Sequence, residues 1–405
     1  MRLLPPLLSA VLLTTAACTS APVAAPAADT PAAPAASSPA APARTPSPAC
    51  VTPDVTATAP ARKVSGTDWQ RAATLRGIKP EDMAALEDGT VWVVGSQYLG
   101  EKYTPGCPQA VGVVWRKDGP TWRRLTPPAC ADTLTHVIAS PRGTVWVAGD
   151  NGYTHGEDQA LLPPCLARRT GDGRWAETVL KDEVTDAAVT ARDELWLVIW
   201  DTDKSEPTLA RWTASGPRPW KLPMLPSAIT ADGDGGLWVA GNGTGARERT
   251  AMLAHWDGTR WHDLPSPGIP VPRNPDPGWY ESKPEFGITG VAALGPREVW
   301  MAGQFTWCGE DCDDFAVIPI LMRWDGFRWS WRLGAKKDLP GGHQLLPDGR
   351  GGLWLNGGQG ERLTHLTGWR RTTLARPESL TAIARRPGST RTWGVAGDTV
   401  WTTPG

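Results

Sequence analysis

One tryptophan-centred phrase recurs seven times, and no other feature restricts the possible folds so sharply. Its copies are Thr90-Val-Trp92-Val-Val-Gly95, Thr144-Val-Trp146-Val-Ala-Gly149, Glu194-Leu-Trp196-Leu-Val, Gly236-Leu-Trp238-Val-Ala-Gly241, Glu298-Val-Trp300-Met-Ala-Gly303, Gly352-Leu-Trp354-Leu-Asn-Gly357 and Thr392-Trp393-Gly-Val-Ala-Gly397. A recurrence of this kind marks a repeat architecture, in which each unit hides its apolar face against the next. The tryptophans stand 54, 50, 42, 62, 54 and 39 residues apart, intervals that bracket one four-stranded blade per copy. The third copy has lost its glycine, and the seventh carries one extra residue, as a bulge would require. The same repetition explains the skewed aromatic usage, 23 Trp against 4 Tyr and 4 Phe.

A second phrase follows each of the first six copies, as in His255-Trp256-Asp-Gly258 then Trp261, or Arg323-Trp324-Asp-Gly326 then Trp329. Asp-Gly between apolar runs signals a tight hairpin, because glycine accepts the positive φ of such turns. A short apolar run precedes each copy, so the unit reads strand, turn, strand, loop, strand, turn, strand. Val-Trp-Val-Val is apolar at every position, which requires cover on both faces. Sheets stacked face to face around an axis supply it. The seventh copy stops after Thr399-Val-Trp401-Thr, while an orphan strand, residues 68–75 with Trp69 in the fourth-strand position, precedes the first. The expected fold is therefore all-β: a seven-bladed β-propeller of four-stranded antiparallel blades, its last blade closed by the N-terminal strand, which removes an open edge.

The two phrases resemble those of bacterial extracytoplasmic propellers, including the two-component-regulator type, whose repeats carry a Trp-Val-x-Gly strand and an Asp-Gly-x-x-Trp hairpin. The resemblance spans residues 67 to 404 and implies the fold. The hairpins are also similar to the Asp-boxes of sialidases, but those place one residue between Asp and Gly and a Ser or Thr two before the Asp. Asp257-Gly258 and Asp325-Gly326 depart from that pattern, and likeness at a turn implies structure, not catalysis.

Ahead of the repeats, Met1-Arg2, an apolar run to Leu13 and small residues before Cys18 read as an export signal. Thr15-Ala16-Ala17-Cys18 resembles a bacterial lipobox, which implies lipidation at Cys18 and residues 1–18 as a lipoprotein signal peptide. Residues 19–61 are Ala, Pro, Ser and Thr with almost no large apolar side chain. Such a segment buries too little to offset its ordering entropy and reads as a disordered tether, leaving 62–405 as the propeller domain. At roughly 3 Å per residue the tether reaches on the order of 100 Å. Export places the chain in the cell envelope, outside the cytoplasm, and makes the six remaining cysteines, Cys50, Cys107, Cys130, Cys165, Cys308 and Cys312, disulfide candidates. Cys308 with Cys312 is the first expected pair; the other connectivities stay open. No second Cys or His pair stands at zinc spacing.

Lys plus Arg is 41 against 42 Asp plus Glu, a balance that argues against a nucleic-acid partner and leaves the lipid as the expected link to a membrane. A monomer is expected. In propellers of this strand order, the connections between second and third strands and those between blades share one face. Only these vary in length here: residues 96–110, 151–164, 200–207, 242–249, 266–286 and 304–317. Elaborated loops on a rigid ring mark the functional face. They hold Tyr98, Tyr103, Tyr153, Trp200, Trp279, Tyr280 and Trp307, the candidate ligand-contacting residues, since Tyr and Trp offer an apolar face and a donor to proteins and sugars alike. The acidic run Glu310, Asp311, Asp313 and Asp314 offers oxygen ligands for Ca²⁺, but it matches no EF-hand and a solvated acidic loop is the preferred reading; no cofactor is expected. His255 and His365 occupy the repeat slot filled elsewhere by Arg211 and Arg323, which argues for a structural or exposed position. No nucleophile elbow, zincin motif, phosphate loop or dinucleotide fingerprint occurs, so no catalytic residue is assigned. The leading expectation is a non-catalytic binding or scaffolding lipoprotein that engages a protein or glycan through the long-loop face. The alternatives are a carbohydrate-active hydrolase or lyase using Glu281 and Glu285 beside Tyr280, and a hub for another envelope complex.

Overall fold

The computed structural model describes residues 57–58, 62–63, 69–99, 110–150, 163–244, 250–275, 277–278, 283–308, 315–335, 344–357, 363–373 and 380–403. Among these every regular element is a strand. Six antiparallel sheets take four strands each in chain order, spanning residues 79–125, 133–179, 183–220, 224–263, 285–333 and 344–373. We number these blades 1 to 6. Blade 7 has three strands of its own, Ala382–Arg385, Thr392–Ala396 and Thr399–Thr402, and takes Gln70–Leu75 as its fourth. Gln70 pairs with Thr402, Arg71 with Trp401, and Thr74 with Thr399. The expected closure is therefore present. Two further short strands, Ala57–Thr58 and Arg62–Lys63, pair with Gln70–Leu75 and extend that sheet to six strands. The first of these lies ahead of residue 62, where the folded domain was expected to begin.

Ring closure is visible in which strands touch. The first strand of every blade lies against the first strands of both neighbours, and that of blade 1, Lys79–Ala85, touches that of blade 7. These seven strands form the inner wall. The apolar core divides in the same way into seven layers, one between each pair of successive blades. The second strand lies between two such layers: in Val91–Tyr98 every residue but the last is buried. This is the cover that the uninterrupted apolar phrase demanded.

The two tryptophan phrases meet across blades. Trp92 of blade 1 packs edge-on against Trp175 of blade 2 at 6.4 Å, Trp196 of blade 3 against Trp261 of blade 4 at 5.7 Å, and Trp300 of blade 5 against Trp369 of blade 6 at 4.8 Å. Trp393 of blade 7 meets Trp122 of blade 1 at 6.4 Å, across the closure. Edge-to-face pairs of this kind add about 0.5–1.5 kcal/mol each beyond burial. Directly across the ladder from the motif tryptophan sits the Arg/His slot. Arg116, Arg211 and Arg323 stack over Trp92, Trp196 and Trp300 at 5.3, 5.9 and 5.6 Å. His255 and His365 stack on Trp238 and Trp354 at 4.1 and 4.5 Å. The slot is structural.

The motif glycine answers a close approach. A Cβ at Gly95 would lie 2.1 Å from the Lys79 carbonyl, and one at Gly241 2.0 Å from that of Leu225, both in the first strand beside a bulge. Blade 3 keeps the bulge, between Val184 and Asp186, with Ile199 in the glycine's place.

Cys130 and Cys165 form a disulfide, Cα to Cα 6.0 Å, tying the connection between blades 1 and 2 to the third strand of blade 2. Cys308 is also disulfide-bonded; Cys50, Cys107 and Cys312, the remaining candidates, lie outside the described residues. Two expected loops are corrected. Strand pairing continues to Cys308 opposite Phe315 and to Asp201 opposite Glu206, so the connections shrink to residues 309–314 and 202–205.

Candidate functional site

The first strand of each blade bonds to the second along one edge only, so backbone groups on its other edge need partners from elsewhere. The residues that supply them occupy one slot of the repeat. Asp82, His136, Asp186, Ala228, Gly290 and Gln344 each stand ten residues before their blade's motif tryptophan, and Ala382 stands eleven before Trp393. In blades 1 to 5 the slot sits at the first-strand bulge. The Asp82 carboxylate accepts the N–H of Met83 at 2.7 Å and, across the blade boundary, that of Val137 at 2.9 Å. Asp186 repeats this with Ala187 and, in blade 4, Ile229, both at 2.8 Å. Gln344 accepts from the Ile383 N–H at 2.8 Å and donates to the Ile383 carbonyl at 3.0 Å. Three polar side chains thus staple successive inner strands together, at equivalent backbone positions.

His136 fills the slot between the two aspartates. Its Nε2 lies 3.2 Å from the Thr185 carbonyl of blade 3, a pure acceptor, so Nε2 carries the proton and Nδ1 faces the Thr135 hydroxyl at 3.0 Å. Burial lowers its pKa and keeps the ring neutral. Burial also pushes Asp82 up to about 7, against the two N–H bonds that favour its anion, with the charge of Asp186 adding to the rise. Asp186 is pushed up to about 6, again by burial first. Both remain half-buried rather than sealed.

A carboxyl whose folded pKa exceeds its unfolded value, about 3.9, holds its proton more tightly in the native state, so its contribution to stability is lost as pH rises from about 4 to about 7. His136, held neutral, acts in the opposite sense as pH falls below about 6.5 and offsets part of this. After allowance for solvent reaching both aspartates, the ring is expected to lose about 2 kcal/mol between pH 5 and pH 8. Urea melts across that range check this. The Asp82→Asn, Asp186→Asn double variant should flatten the slope whatever its baseline; an unchanged slope would sink the assignment.

On the face where second strands end, Asp150 closes the second strand of blade 2 and Glu183 opens the first strand of blade 3. Glu183, exposed at its strand end, hydrogen-bonds to Asp150; the partial desolvation of its carboxyl, and then the Asp150 charge, raise its pKa. Trp200 pairs across the ladder with Glu183 and is 41 % exposed, while Tyr98, ending the second strand of blade 1, is 51 % exposed. These two candidates stand open on the expected face, at strand ends. Trp307 does not: it is fully buried with Phe305 in the layer between blades 4 and 5, which corrects its reading as a ligand contact. Tyr103, Tyr153, Trp279, Tyr280, Glu281, Glu310, Asp311, Asp313 and Asp314 lie outside the described residues. Glu285 opens the first strand of blade 5 and is exposed. Among the described residues no three His, Cys, Asp or Glu side chains group as a metal site.

The closed ring of seven blades, each built on four antiparallel strands, makes this chain a seven-bladed β-propeller. Solved structures agree. The chain is similar to one in a mitotic checkpoint complex, with TM-score 0.51 and 12 % identity over 85 % of this chain and 96 % of that one. It is also similar to the GH74 xyloglucanase from Xanthomonas campestris, with TM-score 0.51 and 13 % identity over 85 % of this chain and 53 % of that one, about half its length. At such identities the likeness establishes the fold alone. No family model and no curated protein matches the chain.

Proposed function

We propose that this chain is a non-catalytic binding or scaffolding lipoprotein of the bacterial cell envelope, held by a lipid on Cys18 and the extended segment 19–61, and engaging a protein or glycan through its long-connection face. The observation that carries the reading is the pair of exposed aromatics, Trp200 and Tyr98, at strand ends of blades 3 and 1. A large aromatic on a rigid strand offers contact area with little entropy to lose. The inner-wall carboxylates are committed to structure: both oxygens of Asp82 and of Asp186 accept backbone N–H groups.

Pull-down from envelope extract and a glycan array, both with the full-length protein, test this. Trp200→Ala and Tyr98→Ala should each weaken capture by about 2 kcal/mol, roughly thirty-fold, as truncated hot-spot aromatics do. Capture indifferent to both changes would show that another surface is used. One observation favours a second reading, a carbohydrate-active hydrolase or lyase: the raised pKa of Glu183 beside Trp200 suits a general acid. Saccharide release that stops in Glu183→Gln would establish it instead.

A further inference from the structure

The opposite face, where the tight turns lie, carries a different chemistry. Between blades 1 and 2 a cavity of about 320 Å³ is lined by three arginines, Arg116, Arg142 and Arg169, together with Thr90, Thr144 and Asp88. Comparing the blades shows why positive charge collects there. In blades 3 and 5 the slot arginine stacked on the motif tryptophan is neutralised by a glutamate two residues before that tryptophan: Arg211 by Glu194 at 2.6 Å and Arg323 by Glu298 at 2.9 Å. Blades 4 and 6 place a glycine there and reach the slot histidine from the preceding turn, His255 by Asp232 at 2.9 Å and His365 by Asp348 at 2.7 Å. Blade 1 has Thr90 in that position. Blade 2 likewise has Thr144 there, so Arg116 and Arg168, the slot arginines of blades 1 and 2, lack the glutamate that Arg211 and Arg323 have.

Acids stand around these arginines, each engaged by a partner, and Arg116 is paired with one of them. Asp118 meets the Arg116 Nε at 2.8 Å from the same strand, and Asp88 accepts the Thr90 N–H at 2.8 Å within its own turn. Asp172 is held by Thr170 and by the Arg174 N–H, and Asp193 accepts from the Thr144 hydroxyl at 3.1 Å. Two guanidiniums are fixed in place by aromatic faces: Arg116 over Trp92 at 5.3 Å and Arg169 over Trp175 at 5.0 Å, the rings themselves 6.4 Å apart. They are close enough that Arg116 adds to the burial that lowers the Arg169 pKa, with the charge of Asp172 opposing both. Like charges held together by packing gain most from an anion between them, and guanidinium forks fit carboxylate and phosphate oxygens. A volume of this size suits a small molecule or the terminal group of a larger one.

We propose that the cleft between blades 1 and 2, on the face opposite the long connections, is a binding site for a small oxyanion, a carboxylate or phosphate group, gripped by Arg116, Arg142 and Arg169.

The test installs the missing glutamate. Thr90→Glu gives blade 1 the residue that blades 3 and 5 already accommodate, and Arg142→Gln removes the exposed rim arginine without touching the stacked pair. The full-length protein is melted in inorganic phosphate, in glucuronate, and in chloride at matched ionic strength. For the unaltered protein, either oxyanion at saturation should raise Tm by about 3 °C over chloride. Titration of each variant should then give at least tenfold weaker affinity and no rise, while Thr90→Glu in chloride melts no lower than the unaltered protein. A larger rise with phosphate or with glucuronate identifies which group the site prefers. A rise that chloride reproduces, or that survives in both variants, overturns the proposal. Should Thr90→Glu fail to fold, Arg142→Gln decides alone. Loss of this site leaves capture by Trp200 and Tyr98 unaltered, so the two readings fail separately.

Discussion

A chain that begins at Gly77 is expected not to fold as a monomeric ring. It lacks Gln70–Leu75, so Thr399–Thr402 becomes an open sheet edge with unpaired backbone groups. Two core layers lose members at once. Ala73 and Leu75, both at most 1 % exposed, leave the layer between blades 7 and 1, and Trp69, 1 % exposed, leaves the layer between blades 6 and 7. Losing a buried Trp and a buried Leu costs on the order of 7 kcal/mol, within the range of a whole domain's net stability. A chain that begins at Asp68 keeps all of these groups and, among the described residues, forfeits only the pairings of Ala57–Thr58 and Arg62–Lys63, so it should melt within a few degrees of the full-length protein. Circular dichroism melts and light scattering on the two truncations distinguish them. Cooperative, monomeric unfolding of the Gly77 chain would show that the ring does not depend on its N-terminal strand.

The ring was legible because its signals are local and repeated. Trp92 and its six counterparts recur with their neighbours, and the missing fourth strand of blade 7 can be matched to residues 68–75 without any knowledge of contacts. The inner-wall slot is equally periodic, ten residues before each of six tryptophans, yet it escapes a search for recurring identities because its occupants are Asp, His, Asp, Ala, Gly, Gln and Ala. What recurs there is a backbone need. The partner that reveals it is distant in the chain: Asp82 meets Val137 across 55 residues. The same limit applies to Thr90, whose significance emerges only beside Glu194 and Glu298. Trp307 was misjudged for a different reason. Glycine and acidic residues beyond Cys308 suggested a loop, but Phe305 and Trp307 alternate with Gln304 and Thr306 at the period of a strand, and the alternation prevailed in burial.

Trp196 and Trp200 lie four residues apart on one strand, and substituting each by alanine should give opposite results. Trp196 is fully buried between blades 3 and 4, with the rings of Trp220, Trp256 and Trp261 5.8, 5.9 and 5.7 Å away and the Arg211 guanidinium over its face. Alanine there leaves a void that three stiff rings cannot fill by small shifts, and it removes the surface on which the Arg211 to Glu194 ion pair rests. The expected loss is about 5 kcal/mol, or roughly 10 °C in Tm for a domain of this size. Trp200 is 41 % exposed, so Trp200→Ala should stay within about 0.5 kcal/mol of the unaltered protein while partner capture falls. Measuring stability and capture on both variants separates the two roles that one residue type plays in this repeat. If Trp196→Ala costs less than about 1.5 kcal/mol, the layers between blades are not what holds the ring together. Closure through Gln70–Leu75 would then have to carry more of its stability than packing does.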